Sequence, residues 1–295
     1  MWPTADRILL IGHLTRDLIR VSDRTMEAPG GTVHYAGVAY AQLGQQVQVL
    51  TKLADRDAGE LARPLRGSGC QVQVIASDAT TQFENVLTAD LRGRSQTVRS
   101  VADPFQPSDV VPGARDVVHL GALTNHEMSV QFVEHAARHA ALLVLDIQGF
   151  VRQLEGERIA PAAWPDATRV LPLCQVVKAD DAEAERVTGE RDPAHAALSL
   201  HARGAREVLV TMAQAGSYLA VDGAVHAVPA LPAPFAVDST GAGDTYTAGY
   251  VVARLLGRPP VDAARFAAAV ASLSLAHTGP FRGTFADVEH CLRSH

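Results

Sequence analysis

The stretch Asp238-Ser-Thr-Gly-Ala-Gly-Asp-Thr-Tyr-Thr-Ala-Gly249 decides how this sequence is interpreted, because a glycine-containing turn leads directly into a predicted helix of small residues. A strand-like, proline-punctuated segment (225–237) precedes the turn, and the predicted helix covers 245–256. The first N–H groups of a helix have no partner within the helix, and the helix dipole places partial positive charge there. Gly241 and Gly243 let the backbone approach an anion, since neither carries a Cβ. The stretch therefore predicts a phosphate-binding turn.

Asp244 is unexpected in such a turn, because a carboxylate beside an anion site repels the anion. It suits a general base that takes a proton from a hydroxyl attacking phosphorus. The alternative is an acid that only complements the helix dipole. Three other motifs do not match: a dinucleotide fingerprint requires glycine where Tyr246 stands, a Walker loop requires Gly-Lys-Ser/Thr, and an aspartic protease requires glycine where Thr240 stands.

From residue 238 to residue 250, the stretch resembles the C-terminal signature of the ribokinase-like (PfkB) carbohydrate kinases. The resemblance implies that Asp244 is the catalytic base and that ATP and Mg²⁺ are used. In some relatives a monovalent cation orders the loop that begins near Asp238, and the sequence leaves this open. The residues that would hold the transferring phosphoryl group are Gly241, Ala242 and Gly243.

The composition is that of a globular protein without an electrostatic reason to bind nucleic acid or an anionic membrane. Of 295 residues, 47% are hydrophobic and 20% are charged, and the formal net charge is -6. No apolar run approaches the roughly 20 residues of a membrane helix, and the N-terminus lacks the order of a signal peptide. Three scattered cysteines, Cys70, Cys174 and Cys291, indicate free thiols. We therefore expect a cytoplasmic protein with no membrane or nucleic-acid partner.

Short apolar runs alternate with helical patterns along the chain. The predicted strands are 7–12, 47–53, 72–75, 117–120, 142–147, 176–178 and 208–212. Helices are predicted at 32–43, ending at Gly44, and at 57–66, although Pro64 disfavours the last turn of the second. This alternation predicts an α/β fold with a mainly parallel central sheet covered by helices on both faces. We expect one ribokinase-like kinase domain over residues 1–295.

Two segments, about 13–30 and 80–101, interrupt the alternation with strand-like spacing. They predict a small β lid that projects from the main sheet, and an edge hairpin of the same sheet is the alternative. The family has a lid formed from these regions, where it covers the sugar. The resemblance also leaves open a homodimer formed through the lid.

The resemblance assigns several substrate-binding residues near the first lid segment. Asp17 fits the family's Gly-x-x-x-x-Asp spacing, and its carboxylate accepts hydrogen bonds from vicinal hydroxyls. The alternative for Asp17 is a solvated turn acid. Where ribokinases place a sugar-contacting Asn, this chain has Tyr35, which disfavours ribose. The other candidates for substrate binding are Gly30, Gly31 and Thr32 before the first long helix, Asn85 in the second lid segment and Gln148 in the 146–152 run.

A second group of residues resembles the family's phosphate, metal and nucleotide motifs. Asp180 and Glu183 match Asn-x-x-Glu, with Asp in place of Asn, and would hold Mg²⁺ through water. They also fit a plain helix start, with Asp180 as N-cap. Lys178 would offset negative charge near the phosphates. Thr211 and Gly216 match a nucleotide-lining motif in which Ala213 replaces the usual first glycine.

The expected function is ATP-dependent phosphorylation of a hydroxyl on a small polyol. The runs 94–109 and 146–152 resemble those of myo-inositol kinases, which favours a cyclitol. A furanose sugar and a nucleoside remain open as acceptors. A non-catalytic ligand-binding or regulatory relative is a further alternative, although such a protein would lack the base or the glycine turn, and this chain keeps both.

Overall fold

The computed structural model describes residues 2, 7–21, 24–87, 94–110, 113, 116–233 and 237–294. Its strands, in chain order, are β1 (Arg7–Ile11), β2 (Thr15–Val21), β3 (Arg24–Gly30), β4 (Val47–Leu53), β5 (Gln71–Ala76), β6 (Gln82–Leu87), β7 (Arg94–Ser100), β8 (Asp116–Leu120), β9 (Leu142–Asp146), β10 (Arg152–Glu155), β11 (Arg158–Pro161), β12 (Val176–Asp180), β13 (Glu207–Thr211), β14 (Ser217–Val221) and β15 (Ala224–Val228).

The α-helices of the described residues are α1 (Thr32–Gln42), α2 (Asp55–Leu61), α3 (Arg63–Gly67), α4 (Val130–His139), α5 (Ala167–Val170), α6 (Asp181–Thr188), α7 (Pro193–Ala202), α8 (Ala242–Leu255), α9 (Pro260–Ser274) and α10 (Phe285–Arg293). The helix predicted at 57–66 is wrong as a single element. It is divided into α2 and α3, because Pro64 lies in the first turn of α3, where its missing N–H is tolerated.

Nine strands form the main sheet, in the order β15-β14-β13-β12-β9-β8-β1-β4-β5. The seven strands from β13 to β5 are parallel, and β14 and β15 continue the sheet in antiparallel fashion. Each parallel strand is an apolar run because helices cover both faces; residues 8–11 of β1, for example, are at most 2% exposed. The predicted mainly parallel α/β fold is confirmed.

Two hydrophobic clusters lie on opposite faces of this sheet. One gathers residues of α1, α8, α9 and α10, and the other gathers residues of α4, α6 and α7. The helix pair α8 and α9 packs closely, since Gly249 lies against Ala267 and Val270. This layer fixes the start of α8 at the carboxyl edge of the sheet.

A second sheet of six strands has the order β10-β11-β7-β6-β2-β3. The segments 13–30 and 80–101 supply β2, β3, β6 and β7, and residues 88–93 lie outside the described residues. The hairpin β10–β11 joins this sheet through a pairing of Arg158 with Thr97, and the sequence analysis placed no strand there. Its strands are four residues long and rich in charge, so they lack an alternating apolar pattern.

Among the described residues, no helix is long and apolar enough to cross a membrane.

Candidate active site

A cavity of about 550 Å³ lies between the carboxyl edge of the main sheet and the second sheet. The parallel strands β1, β9 and β12 all end at this edge, so residues distant in sequence meet there. Of the residues predicted from the sequence, those that line the cavity are Asp17, Gly31, Thr32, Gln148, Asp180, Glu183, Gly241 and Asp244. The cavity thus joins the candidates for substrate binding with the candidates for phosphoryl transfer.

The first turn of α8 opens into this cavity. Gly241 is its N-cap with a φ of 74°, a left-handed conformation that side chains disfavour, and no side chain caps the helix. The amide of Ala242 donates to Ser239 O at 3.2 Å, whereas those of Gly243 and Asp244 have no acceptor among the described residues. Free first-turn amides at a helix N-terminus are suited to bind an anion.

Lys178 adds a positive charge to the same turn. A Cβ on Gly243 would lie 3.0 Å from Lys178 Nζ, so the ammonium group reaches the glycine turn from β12. Burial lowers the pKa of Lys178, but the carboxylates of Glu183, Asp146, Asp244 and Asp180 outweigh burial and raise it above its ordinary value. The lysine therefore remains an ammonium ion beside this glycine turn.

Asp244 is half-buried at the cavity wall, and its surroundings make it a stronger base than a free aspartate. Loss of hydration raises its pKa to about 6, and the charge of Asp146 adds to this rise. Lys178, Thr32 and His119 oppose the rise. The Thr32 hydroxyl forms no hydrogen bond of good geometry among the described residues, although it lies close enough to Asp244 to lower its pKa. A carboxylate with a pKa near 6 suits general base catalysis at neutral pH.

The N-terminus of α1 also faces the cavity. Its N-cap, Gly31, has a φ of 92°, and a Cβ there would overlap His13 O. The helix has no side-chain cap and no acidic residue in its first turn. Because Gly31 and Gly241 both line the cavity, two uncapped helix N-termini converge on it, which favours negatively charged ligands. The sequence analysis assigned only the second of them to an anion.

Asp180 and Glu183 form a capping box at the start of α6. Glu183 N donates to Asp180 Oδ1 at 2.7 Å, and Asp180 N donates to Glu183 Oε2 at 2.8 Å. Both predictions for this pair are therefore compatible, since each carboxylate keeps a second oxygen and both line the cavity. Hard carboxylate oxygens beside a phosphate site fit Mg²⁺. No described group of three acidic, histidine or cysteine residues is arranged to bind a metal, so water and phosphate would supply the other ligands.

The second sheet contributes polar side chains to the opposite wall. Asp17 is 8% exposed, and its Oδ1 accepts a hydrogen bond from Thr15 Oγ1 at 2.7 Å. The guanidinium of Arg152 donates to Gln96 Oε1, and Gln96 Nε2 donates to Asn85 Oδ1 at 2.9 Å. Because arginine only donates, this chain fixes the orientation of both amides. Asp17, Gln96 and Arg152 therefore place a carboxylate, an amide and a guanidinium on this wall, and Asn85 supports Gln96 from behind it.

Apolar side chains complete the wall beside these polar groups. Phe83 and Leu123 are 4% and 6% exposed, and together with Ile159 and Tyr35 they line the cavity. A site with a few convergent polar groups on an apolar lining suits a small ring that carries several hydroxyls.

The remaining predicted residues lie behind or away from the cavity wall. Gly30 supports Asp17, since a Cβ on Gly30 would overlap the Asp17 carboxylate. Thr211 ends β13 and donates to Ala179 O, and Gly216 closes the following turn with a φ of 93°. Neither residue lines the described cavity, and their role at a nucleotide stays a prediction. Ala213, which replaces the family's glycine, has a φ of 48°, which explains why glycine is usual there.

Among the cavity residues that were not predicted as site residues are Gln96, Arg152 and Arg186. Arg186 follows Glu183 by three residues, so a helical-face argument on α6 would have found it. Arg152 stands inside the quoted 146–152 run. The position of Gln96 depends on the strand register, because Gln96 on β7 pairs with Asn85 on β6. This register is not evident from the local sequence.

Comparison with known proteins identifies a family over most of the chain. The family model described as pfkB family carbohydrate kinase matches residues 5–283. A cytidine kinase of Thermococcus kodakarensis is 36% identical over 280 residues, which cover 88% of this chain and 92% of the relative. An inositol 3-kinase of Oryza sativa subsp. japonica is 27% identical over 274 residues, or 87% of this chain. The matches span 65% of that inositol kinase and 37% of an Arabidopsis thaliana ribokinase, which is 28% identical over 50% of this chain.

Solved structures are similar over nearly the full chain. A pyrophosphate-dependent kinase in the ribokinase family, complexed with a pyrophosphate analog and myo-inositol, is 30% identical with a TM-score of 0.86, covering 96% of this chain and 99% of that one. A pyrophosphate-dependent myo-inositol-1 kinase converted into a myo-inositol-3 kinase by two substitutions is 28% identical with a TM-score of 0.85, covering 97% and 98%. The Arabidopsis thaliana ribokinase complexed with ribose and ATP, at 20% identity and a TM-score of 0.78 over 98% and 99%, shows the same fold.

Proposed function

Because the chain belongs to the pfkB family of carbohydrate kinases, we propose that it transfers the terminal phosphoryl group of ATP to a hydroxyl of a small polyol, with a cyclitol such as myo-inositol as acceptor. One observation carries the proposal. Asp244, with its pKa raised to about 6, stands at an uncapped helix N-terminus in the same cavity as Asp17.

Each wall of the cavity has a part in the proposed reaction. Asp17 accepts hydrogen bonds from the hydroxyls of the acceptor and holds its ring. Asp244 takes the proton of the hydroxyl that attacks the phosphorus, and the nucleoside diphosphate leaves with the electrons of the broken P–O bond. The amides of the 241–244 turn and the ammonium of Lys178 stabilise the charge of the transferring group.

Mg²⁺, held through water by Asp180 and Glu183, would neutralise charge on the donor phosphates. The second sheet would act as a lid that keeps water away from the donor, since water is a competing acceptor for the phosphoryl group.

The proposed preference for a cyclitol acceptor rests on the lining of the cavity and on the similar proteins. Asp17, Gln96 and Arg152 line the cavity with a mixture of donors and acceptors, which matches a ring with a hydroxyl on every carbon. Two structural relatives at 28–30% identity are named for myo-inositol. A nucleoside is the second candidate acceptor, favoured by the 36% identity to a cytidine kinase.

Pyrophosphate is a second candidate donor, supported by the lining of the cavity. Arg186, on the same helix as Glu183, lines it, whereas Thr211 and Gly216 do not. A guanidinium near the proposed phosphate site, without these nucleotide-motif residues, suits a donor that consists of phosphates alone. The 30% identical structural relative is itself pyrophosphate-dependent.

A matrix of donors and acceptors tests the proposal. ATP and pyrophosphate, each with Mg²⁺ and with or without K⁺, are combined with myo-inositol, ribose, fructose, adenosine and cytidine, and product is measured as kcat/KM. We expect myo-inositol with ATP to lead by well over about 10²-fold, because a missing hydroxyl leaves a buried polar group unpaired. If cytidine, adenosine or ribose leads, the cyclitol assignment is wrong; if pyrophosphate leads, the ATP assignment is wrong. Absence of transfer for every pair defeats the proposed function.

Arg186→Gln separates the two donors. With pyrophosphate as donor, losing one charge-assisted contact should raise the donor KM by about 10-fold or more. With ATP as donor, the effect should be smaller, and the KM for the acceptor should not change in either case.

A homodimer through the lid is also proposed. Met26 and Val86 on the second sheet are 53% and 45% exposed, so both offer apolar surface that a second copy could bury. Light scattering of the wild type and of Met26→Lys tests this, since a lid-mediated dimer should dissociate in the variant. A wild-type monomer contradicts it.

A further inference from the structure

A buried series of hydrogen bonds lies beneath residues 241–244, which we call the catalytic turn. Asp146, the last residue of β9, is 1% exposed, and its Oδ2 accepts a hydrogen bond from His119 Nε2 at 2.8 Å. Its Oδ1 accepts from Thr247 Oγ1 at 3.3 Å. The other ring nitrogen of His119 lies 3.1 Å from the hydroxyl of Tyr40. Residues of β8 and α8 therefore hold this carboxylate, and Tyr40 of α1 holds the histidine.

The hydrogen bonds define the tautomer of His119. Burial, followed by the charge of Asp146, raises the pKa of Tyr40 well above its ordinary value, so its hydroxyl stays protonated and donates. Nδ1 of His119 then accepts from Tyr40, and Nε2 donates to the carboxylate of Asp146. His119 thus fixes the orientation of the Asp146 carboxylate.

Asp146 is connected to the catalytic turn in two ways. The Thr247 hydroxyl is shared between Asp146 and Gly243 O, the latter at 3.1 Å, so the carboxylate holds the first turn of α8. Its negative charge also acts on Asp244, where it is the largest contribution after burial to the raised pKa. The groups that face Asp244 are Asp146 from β9, Lys178 from β12, His119 from β8 and Thr32 from α1.

We propose that Asp146, oriented by His119, is a positioning residue whose negative charge keeps Asp244 able to take the proton of the acceptor hydroxyl. This inference rests on the proposed function. In the step concerned, the O–H bond of the acceptor breaks, its proton passes to a carboxylate oxygen of Asp244, and the freed electron pair forms the new bond to phosphorus. Asp146 is buried and does not line the cavity. It acts because two like charges close together make protonation of one of them easier.

The pH profile of Asp146→Asn tests the inference. The substitution keeps the shape of the side chain and an oxygen for His119, but it removes the charge. In the wild type, kcat/KM should fall as pH drops through about 6, the pKa of Asp244, because the protonated base cannot accept a proton. In the variant this acid limb should move to lower pH by about one unit, and kcat on the plateau should fall by about tenfold, because a weaker base drives proton transfer less.

His119→Gln and Asp116→Asn complete the set. Glutamine can still donate to Asp146 and leaves its charge in place, so the limb should not move to lower pH as it does in Asp146→Asn. Asp116 is also buried, at the opposite end of β8, where it pairs with Arg7. Asp116→Asn should leave the limb in place, which controls for the general cost of losing a buried carboxylate.

Two results overturn the inference while the proposed function stands. The first is an acid limb of the pH profile that has the same midpoint in Asp146→Asn as in the wild type, whatever the change in kcat. Asp146 would then have a purely structural role. The other is an unmoved limb with a more than tenfold rise in the Mg²⁺ concentration for half-maximal activity, which would assign Asp146 to the metal. Failure of the wild type to phosphorylate any acceptor defeats the proposed function instead.

Discussion

The ring of Tyr35 occupies the space in which a side chain at Gly241 would stand. The tyrosine begins the second turn of α1, and the glycine is the N-cap of α8, so the two helix N-termini of the cavity meet at this contact. The left-handed backbone of Gly241, with a φ of 74°, adds a second reason for glycine. The contact holds the first turn of α8 against α1 at the cavity.

Gly241→Ala should therefore lower kcat by at least about 10²-fold, the scale for displacing preorganised donors at a developing charge. Gly223→Ala is the matched control, because Gly223 has a φ of 76° and open space around it. Both variants should lose about 1–2 kcal/mol of stability from the backbone alone, but only the first should lose activity. Equal activity in the two variants would contradict the role of the contact. The measurements are steady-state kinetics and denaturant unfolding.

Asp244→Asn should lower kcat by at least about 10²-fold, the usual contribution of a general base, because the amide cannot accept a proton. Affinity for the donor, measured by calorimetry, should stay within about threefold, since the change removes no contact to the phosphates. Asp181→Asn, an exposed acid on α6, should retain full activity. Near wild-type turnover by the Asp244 variant would refute its assignment as the base.

The raised pKa of Asp244 also predicts a pH-dependent cost to stability. The carboxyl of Asp244 ionises near pH 4 in the unfolded chain and at about pH 6 in the folded chain. The free energy of unfolding therefore falls as the pH rises from about 4 to about 6, and it stays at the lower value at higher pH. The full shift corresponds to about 3 kcal/mol, and partial exposure reduces this to about 1–2 kcal/mol. Asp244→Asn should thus be more stable than the wild type at pH 7.5 and similar to it at pH 4.5 in urea unfolding. A stability difference that does not change with pH contradicts this.

Asp17→Asn should raise the KM for the acceptor by about 10- to 100-fold, because each hydrogen bond to a charged acceptor contributes about 1.5–3 kcal/mol. The KM for the donor should change by less than about threefold. Glu27→Gln on the neighbouring strand β3, where Glu27 pairs with Arg16 near the surface, is the control. If the Asp17 variant weakens donor and acceptor equally, Asp17 is structural.

Gln96→Leu should lower kcat/KM for the acceptor by about 10- to 100-fold, since it leaves polar groups of Arg152 and Asn85 without this partner. The position of the phosphate on the product, determined by NMR, should also become mixed, because the amides no longer hold one orientation of the ring. Gln153→Leu on β10, whose side chain bonds to Glu155 near the surface, should have neither effect. An unchanged kcat/KM and a single product from the Gln96 variant would show that Gln96 does not position the acceptor.

The sequence by itself determined the elements that depend on local chemistry. The apolar runs predicted the seven parallel strands of the main sheet but not β14, and the turn 238–249 predicted the family. Glycine conformations and free helix amides are properties of adjacent residues, so this turn could be recognised from local sequence. The same locality explains the wrong single helix at 57–66 and the unpredicted hairpin β10–β11, where the local pattern was weak.

Only the tertiary structure decided how the site is tuned. Asp146 and Thr247 are 101 residues apart in sequence, and Arg152 and Gln96 are 56 residues apart. Each pair meets because the parallel strands end at one edge of the main sheet and the second sheet folds over that edge. The basicity of Asp244 arises from lost hydration and from a second carboxylate brought close by folding. Burial and distance between charges are properties of the folded chain, so no local motif contains them.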